Sequence, residues 1–178
     1  MMREPAFSLL KKPSAMKLRG RRVLVLGLGD TGLSVANWVE REGGIARAAD
    51  TRAAPPRQPD FAGELHTGKF KASLLKDIDL VCVSPGLSLQ EKLVQTAIGK
   101  GIPVVGDIEL FAWACRDKVL AITGTNGKST VTALTGHLLR SAGVDCEVAG
   151  NISPPALDAL LERKNSPAAW VLELSSYQ

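Results

Sequence analysis

VLVLGLGDTGLS, residues Val23–Ser34, runs four apolar residues straight into Gly27, Gly29 and Gly32. A short, wholly apolar run reads as a strand buried on both faces. Glycines at this spacing read as the turn into a helix whose N-terminus faces a diphosphate. The same backbone physics serves NAD and a UDP-sugar equally well, so G-x-G-x-x-G alone does not choose between them. Asp50 lies about twenty residues on, where an NAD site keeps its ribose-binding acid, and the dinucleotide reading stays open at this point.

Outward from that stretch the chain alternates. Gly32–Glu42 is helical, with Leu33, Ala36 and Val39 on one side, and Gly43-Gly44 closes it. Ile45–Ala49 is the next strand, ending at Asp50, and residues 53–60 form a Pro-rich loop. Asp79–Val83 is a buried strand stopped by Ser84-Pro85-Gly86. Leu89–Gly99 is helical, Ile102–Val105 is a strand, and Asp107 caps a helix running to about Cys115. The rhythm then restarts. Val119–Ile122 is a strand, and Ser129–Ser141 is a helix with Val131, Leu134 and Leu138 in register. Cys146–Ala149 is a strand, Pro155–Lys164 a helix and Ala168–Leu172 a strand ending in Glu173. Such alternation predicts right-handed βαβ units on parallel sheets, an α/β fold. Two glycine loops, each opening a series, predict two domains: 18–116, Rossmann-like, and 117–178, behind a basic tail at 1–17.

The second loop is the more specific. AITGTNGKST, Ala121–Thr130, sets Gly124 and Gly127 before Lys128, Ser129 and Thr130 at the start of a helix. Backbone N–H groups and the helix N-terminus face a phosphate, Lys128 adds positive charge, and Ser129 or Thr130 offers a hydroxyl to Mg²⁺. The stretch departs from G-x-x-x-x-G-K-[ST] at Ile122, where the first glycine would stand. Glu173, at the C-terminal end of a strand in the same sheet, is the matching acidic magnesium ligand; its plain alternative is a solvated strand end. Magnesium takes few protein ligands, so one hydroxyl and one carboxylate suffice.

Composition narrows the partners. Of the 178 residues 45% are hydrophobic and 22% charged, which is globular. The net charge of +4 is local: residues 1–22 hold seven basic residues against Glu4 alone, leaving the remainder at −2. A single aromatic, Phe7, lies among those charges, too few for a base-stacking surface, which argues against nucleic acid. The tail reads instead as a disordered extension, with Met16 a possible start of translation. AFSLL is too short for a signal-peptide core, and no run approaches the roughly 18 apolar residues of a membrane span. Cys82, Cys115 and Cys146 are far apart without ligand-spaced partners, and read as buried free thiols in a reducing cytoplasm.

TGTNGKST, GNI at Gly150–Ile152 and LELSSYQ at Leu172–Gln178 together resemble the Mur ligases, the ATP-dependent amide-forming enzymes of peptidoglycan synthesis. GLGDTGLS, the DTR of Asp50–Arg52, the SPG of Ser84–Gly86 and GDIELF at Gly106–Phe111 are similar to the branch that joins D-glutamate to UDP-N-acetylmuramoyl-L-alanine in the bacterial cytoplasm. The likeness runs from about Leu18 to the last residue. It implies that the first glycine loop cradles the diphosphate of a UDP-sugar, with Gly29, Asp30, Thr31 and Gly32 at the diphosphate and Asp50, Thr51 and Arg52 near the uracil. Ser84, Pro85, Gly86, Asn151 and Ser175 would complete the sugar site; Asn151 could equally cap the helix near Pro154.

The resemblance also implies ATP on Gly124, Thr125, Asn126, Gly127, Lys128, Ser129 and Thr130. Lys128 and Glu173 would be catalytic, Ser129 and Glu173 would bind Mg²⁺, and the molecule would be a monomer. The family more often has an apolar residue where Asp30 stands, and a carboxylate beside a diphosphate repels it unless it turns outward. The family's chain is more than twice as long, with a second-magnesium histidine and modified lysine, then a domain for the amino acid. The expectation is therefore the UDP-sugar domain plus the first part of a P-loop-type ATPase domain, inactive alone, with apolar surface exposed on Ala168–Leu172. The rivals are a non-catalytic UDP-sugar and ATP binder and an NAD-binding regulatory domain.

Overall fold

The structure is a computed structural model that describes residues 16–175. Most of the basic tail, and Ser176–Gln178 of the LELSSYQ motif, lie outside the described residues. Met16, one of the tail's last two residues, packs half-buried against the core.

The first sheet holds β1 (Arg22–Leu26), β2 (Ile45–Asp50), β3 (Glu64–Thr67), β4 (Leu80–Val83) and β5 (Val104–Val105), all parallel, in the order β3-β2-β1-β4-β5. This is the doubly wound order of a Rossmann-like sheet. The strand β1 is apolar on consecutive positions because both faces are covered. Val23 and Val25 meet α1 (Asp30–Arg41) and α3 (Asp107–Ala114); Leu24 and Leu26 meet α2 (Lys92–Gly99) and the 3₁₀ turn Ala72–Leu75. β3 had no sequence expectation: ELHT is half-exposed at the edge of the sheet and carries no apolar run. α2 begins at Lys92 rather than Leu89, which is 41% exposed.

The second sheet holds β6 (Val119–Ile122), β7 (Cys146–Gly150) and β8 (Ala169–Glu173), parallel, in the order β6-β8-β7. Its helices are α4 (Lys128–Ser141) and α5 (Ala156–Glu162). Trp170 and Leu172 of β8 turn toward α5, while Ala169 and Val171 turn toward α4, the alternation of a strand buried on both faces. One apolar cluster joins the two sheets through α1, α3 and α5. At its centre Phe111 meets Trp170 edge-to-face, centroids 5.1 Å apart and planes at 80°. The Trp170 indole N–H donates to Asp117 at 3.2 Å.

Two expectations are corrected here. The strand 168–172 does not expose apolar surface: β8 is the central strand and every residue from Ala169 to Glu173 is buried. The exposed edge is β6, where Val119 and Leu120 are each 43% exposed, because the last strand in sequence inserts between the first two. In α4 the stripe Val131, Leu134 and Leu138 does not face the sheet but is 50–58% exposed. The sheet-facing stripe is Thr132, Gly136 and Leu139. Gly136 brings the helix so close to β7 that a Cβ there would sit 2.3 Å from a Val148 methyl.

Candidate functional site

Parallel strands deliver their C-terminal ends to one edge, where open α/β sheets bind ligands. At the first sheet the ends of β1, β2 and β4 lie side by side: Leu26 is in register with Ala49 and with Val83. Gly27 N–H donates to the Ala49 carbonyl at 2.8 Å, and Ser84 N–H to the Leu26 carbonyl at 2.9 Å. The glycine loop, Asp50–Arg52 and Ser84–Gly86, read separately in the sequence, thus form one rim. The third glycine is there for close approach. A Cβ on buried Gly32 would lie 1.8 Å from the Gly27 carbonyl oxygen, so only hydrogen lets α1 start this near the turn. Gly29, the N-cap of α1, has open space beside it. That leaves backbone room for a ligand.

Asp50 is the buried brace of this rim. Its carboxylate accepts the Leu28 N–H at 2.7 Å, the Arg52 N–H at 2.9 Å, and Arg52 Nε and Nη2 at 2.9 and 2.6 Å, with the side chain 3% exposed. The Arg52 fork is the largest of the forces holding its pKa at about 2. A carboxylate whose two oxygens already take four protein donors has little left for a ribose diol, which weighs against the dinucleotide reading. Asp30, first residue of α1, is 70% exposed and pairs with Arg57, Nε to Oδ1 2.6 Å. Thr31 is half-buried beside it and Thr51 exposed.

The second edge gathers β6, β8 and β7. Ile122 and Gly150 both stand opposite Glu173, so the loop Thr123–Gly127 and the GNI turn rise on either side of that carboxylate. Gly127 caps α4 in the left-handed region, φ 75°, and Thr125, Asn126, Ser129 and Thr130 are exposed around it. The Lys128 ammonium donates to the Gly124 carbonyl at 2.7 Å, which holds its charge at the loop. Glu173 is 2% exposed; Oε1 accepts Asn151 Nδ2 at 3.2 Å, while the buried Oε2 has no hydrogen-bond partner among the described residues. An orphaned buried carboxylate oxygen beside a glycine–lysine loop fits a magnesium ion, a hard cation that prefers oxygen.

Asn151 does not cap the following helix: α5 has Pro155 at its N-cap and no side-chain cap bond. The Asn151 amide instead orients Glu173, and its N–H donates to the Glu173 carbonyl at 2.8 Å. Ser175 lies half-buried two residues beyond Glu173. Sequence reasoning missed the Asn151–Glu173 and Asp30–Arg57 pairs, since each joins residues more than twenty positions apart. Of the cysteines, Cys82 and Cys146 are buried and Cys115 half-buried, all three free; burial pushes the Cys82 thiol well up, with Asp107 adding to it. Among the described residues no cluster of three or more His, Cys, Asp and Glu side chains is placed to hold a metal, and no helix is long and apolar enough to cross a membrane.

Two glycine loops at the edges of two parallel sheets, the second followed by Lys-Ser-Thr and faced by a buried glutamate, define a Rossmann-like α/β protein. The chain is similar to the Mur ligases, an ATP-dependent family: residues 21–106 match the Mur ligase MurD-like N-terminal domain. It is 53% identical over 177 residues to the UDP-N-acetylmuramoylalanine–D-glutamate ligase of Nitrosospira multiformis, covering 92% of this chain and 37% of that protein. It is 46% identical to the ligase of the same name from Nitrosomonas europaea, over 92% and 38%. The chain thus spans under two-fifths of the length of these relatives. Solved structures share the fold. A murein peptide ligase from Psychrobacter arcticus aligns at TM-score 0.57 and 18% identity, over 89% of this chain and 38% of that one. A UDP-N-acetylmuramate–alanine ligase from Thermotoga maritima aligns at 0.55 and 22%, over 86% and 36%.

Proposed function

We propose that this chain supplies the UDP-sugar site and the ATP-phosphate site of a ligase joining D-glutamate to UDP-N-acetylmuramoyl-L-alanine in the bacterial cytoplasm. The observation that carries the reading is the Oε2 of Glu173, buried and without a hydrogen-bond partner among the described residues, at the root of the Gly124–Lys128 loop. A Rossmann-type NAD domain has no use for a second glycine loop with a lysine and an orphaned carboxylate. Residues 18–116 form the UDP-sugar domain and 117–178 the first part of the ATP-binding domain, in a monomer.

In the reaction the substrate carboxylate takes the γ-phosphoryl group of ATP, and the amine of D-glutamate then displaces phosphate from the acyl phosphate. Lys128 and the amides of Gly124–Thr130 bind the phosphates and stabilise charge on the transferring group. Ser129 and Glu173 hold Mg²⁺, which neutralises phosphate charge when bound. Asn151 keeps Glu173 aimed and reaches the sugar substrate with Ser84–Gly86 and Ser175. Gly29–Gly32 take the diphosphate, while Asp50 holds Arg52 in place beside the uracil.

The test is thermal stabilisation, because a ligand that binds only the folded state raises its melting temperature. UDP-N-acetylmuramoyl-L-alanine raises it and NAD at equal concentration does not. MgATP raises it in the parent chain but not in Lys128→Ala, whose response to the UDP-sugar is unchanged. A larger response to NAD would overturn the reading.

A further inference from the structure

An acidic residue opens the helix that this reading aims at a diphosphate. Asp30 at the first position of α1 places a negative charge at the positive end of the helix dipole, favourable for the helix but opposed to an anionic ligand. The tertiary structure answers that charge from the Pro-rich loop. Arg57 Nε donates to Asp30 Oδ1 at 2.6 Å and its Nη1 to Asp60 Oδ2 at 3.2 Å. Its own N–H reaches the carbonyl of Leu28, inside the glycine loop, at 3.4 Å. Pro55, buried just before it, and the 3₁₀ turn Gln58–Asp60 just after it fix where Arg57 leaves the backbone. Nη2 has no hydrogen-bond partner among the described residues. With Nε committed to Asp30 and Nη1 to Asp60, the N–H groups of Nη2 stay free to donate to a phosphate oxygen.

We propose that Arg57 is a positioning residue of the diphosphate site: it neutralises Asp30 at the start of α1 and offers its unclaimed Nη2 to a nucleoside diphosphate. This rests on the glycine loop being the diphosphate cradle. The bland alternative is a surface ion pair that ties down a loop and contributes little. The two differ in charge dependence. A loop tie acts on any ligand of the rim, while a neutralising arginine acts on the diphosphate and not on the nucleoside.

UDP and uridine are titrated into the 178-residue chain and into Arg57→Ala, Arg57→Lys, Asp30→Asn and the Arg57→Ala/Asp30→Asn double variant, with binding read by calorimetry or ligand-observed NMR. Arg57→Ala weakens UDP about tenfold, as baring the Asp30 carboxylate, and with it that of Asp60, beside a multiply charged anion demands, and leaves uridine within about twofold. Asp30→Asn in the Arg57→Ala background recovers most of that loss, and Arg57→Lys keeps most of the affinity because it keeps the charge. Equal losses for UDP and uridine, or a double variant as weak as Arg57→Ala, overturn the role of Arg57 while leaving the diphosphate cradle standing. Absence of UDP binding by the parent chain overturns the cradle and the role of Arg57 with it.

Discussion

Replacing Gly32 with alanine puts a methyl carbon 1.8 Å from the Gly27 carbonyl oxygen and 2.9 Å from its carbon. Both are backbone atoms, so no rotamer change relieves the clash. An ordinary non-bonded contact requires the start of α1 and the end of β1 to part by well over about 1 Å. That movement loosens helix packing on Val25, whose methyl lies 3.7 Å from the same point. Overpacking of this kind costs about 1–3 kcal/mol and the backbone clash sets it at the upper end. Alanine's better helix propensity returns less than about 1 kcal/mol. The net loss is about 2–3 kcal/mol, which for a chain of this size lowers the melting temperature by about 4–12 °C. Gly29→Ala is the internal control. Nothing lies within 4 Å of its Cβ position, so only the glycine preference at a helix N-cap is lost, about 1 kcal/mol or less. Its effect falls on the ligand, because the methyl occupies the space a diphosphate needs. Differential scanning calorimetry with and without UDP separates the two. If Gly32→Ala melts within about 2 °C of the parent, or Gly29→Ala falls as far, the close-approach argument is refuted.

Three further outcomes follow from particular contacts. The folded pKa of Asp50 is depressed from 3.8 to about 2, so its stabilisation is complete above about pH 4 and is lost as pH falls toward 2. The shift is worth about 2 kcal/mol at most, reduced by screening at half-exposed Arg52, and urea midpoints between pH 2 and 5 should decline less steeply in Asp50→Asn. Glu173→Gln removes a buried charge with one unpartnered oxygen; it should raise the melting temperature by about 3 °C for about 1 kcal/mol gained and abolish the magnesium-dependent response to ATP, and a lower melting temperature would mean that Oε2 is satisfied. Leu138→Gln, on the exposed face of α4, should change stability by less than about 0.5 kcal/mol, whereas Leu157→Ala, at 1% exposure, should cost about 3 kcal/mol; similar costs in a chemical denaturation series would show α4 packed through Leu138.

What the linear sequence determined is what near neighbours decide. Alternating apolar runs and glycine-closed helices specified parallel α/β units, since a strand buried on both faces must be apolar at consecutive positions, as Val23–Leu26 and Ala169–Leu172 are. The loop Gly124–Thr130 was legible as a candidate phosphate cradle because such a cradle is built from adjacent backbone amides. Tertiary structure alone decided strand order, and with it exposure. The insertion of β8 between β6 and β7 buried the strand expected to be open and left β6 as the edge. Spacing on α4 identified the stripe Val131, Leu134 and Leu138, but the approach permitted by Gly136 buried Thr132, Gly136 and Leu139 instead. The same holds at the site. Asp30 read as a charge opposed to a diphosphate until the fold brought Arg57 to it, and Glu173 read as a magnesium ligand or a solvated strand end until the fold set Asn151 on one of its oxygens and no described residue on the other. Such pairings depend on chain segments meeting in space, and residue spacing along the chain carries no information about them.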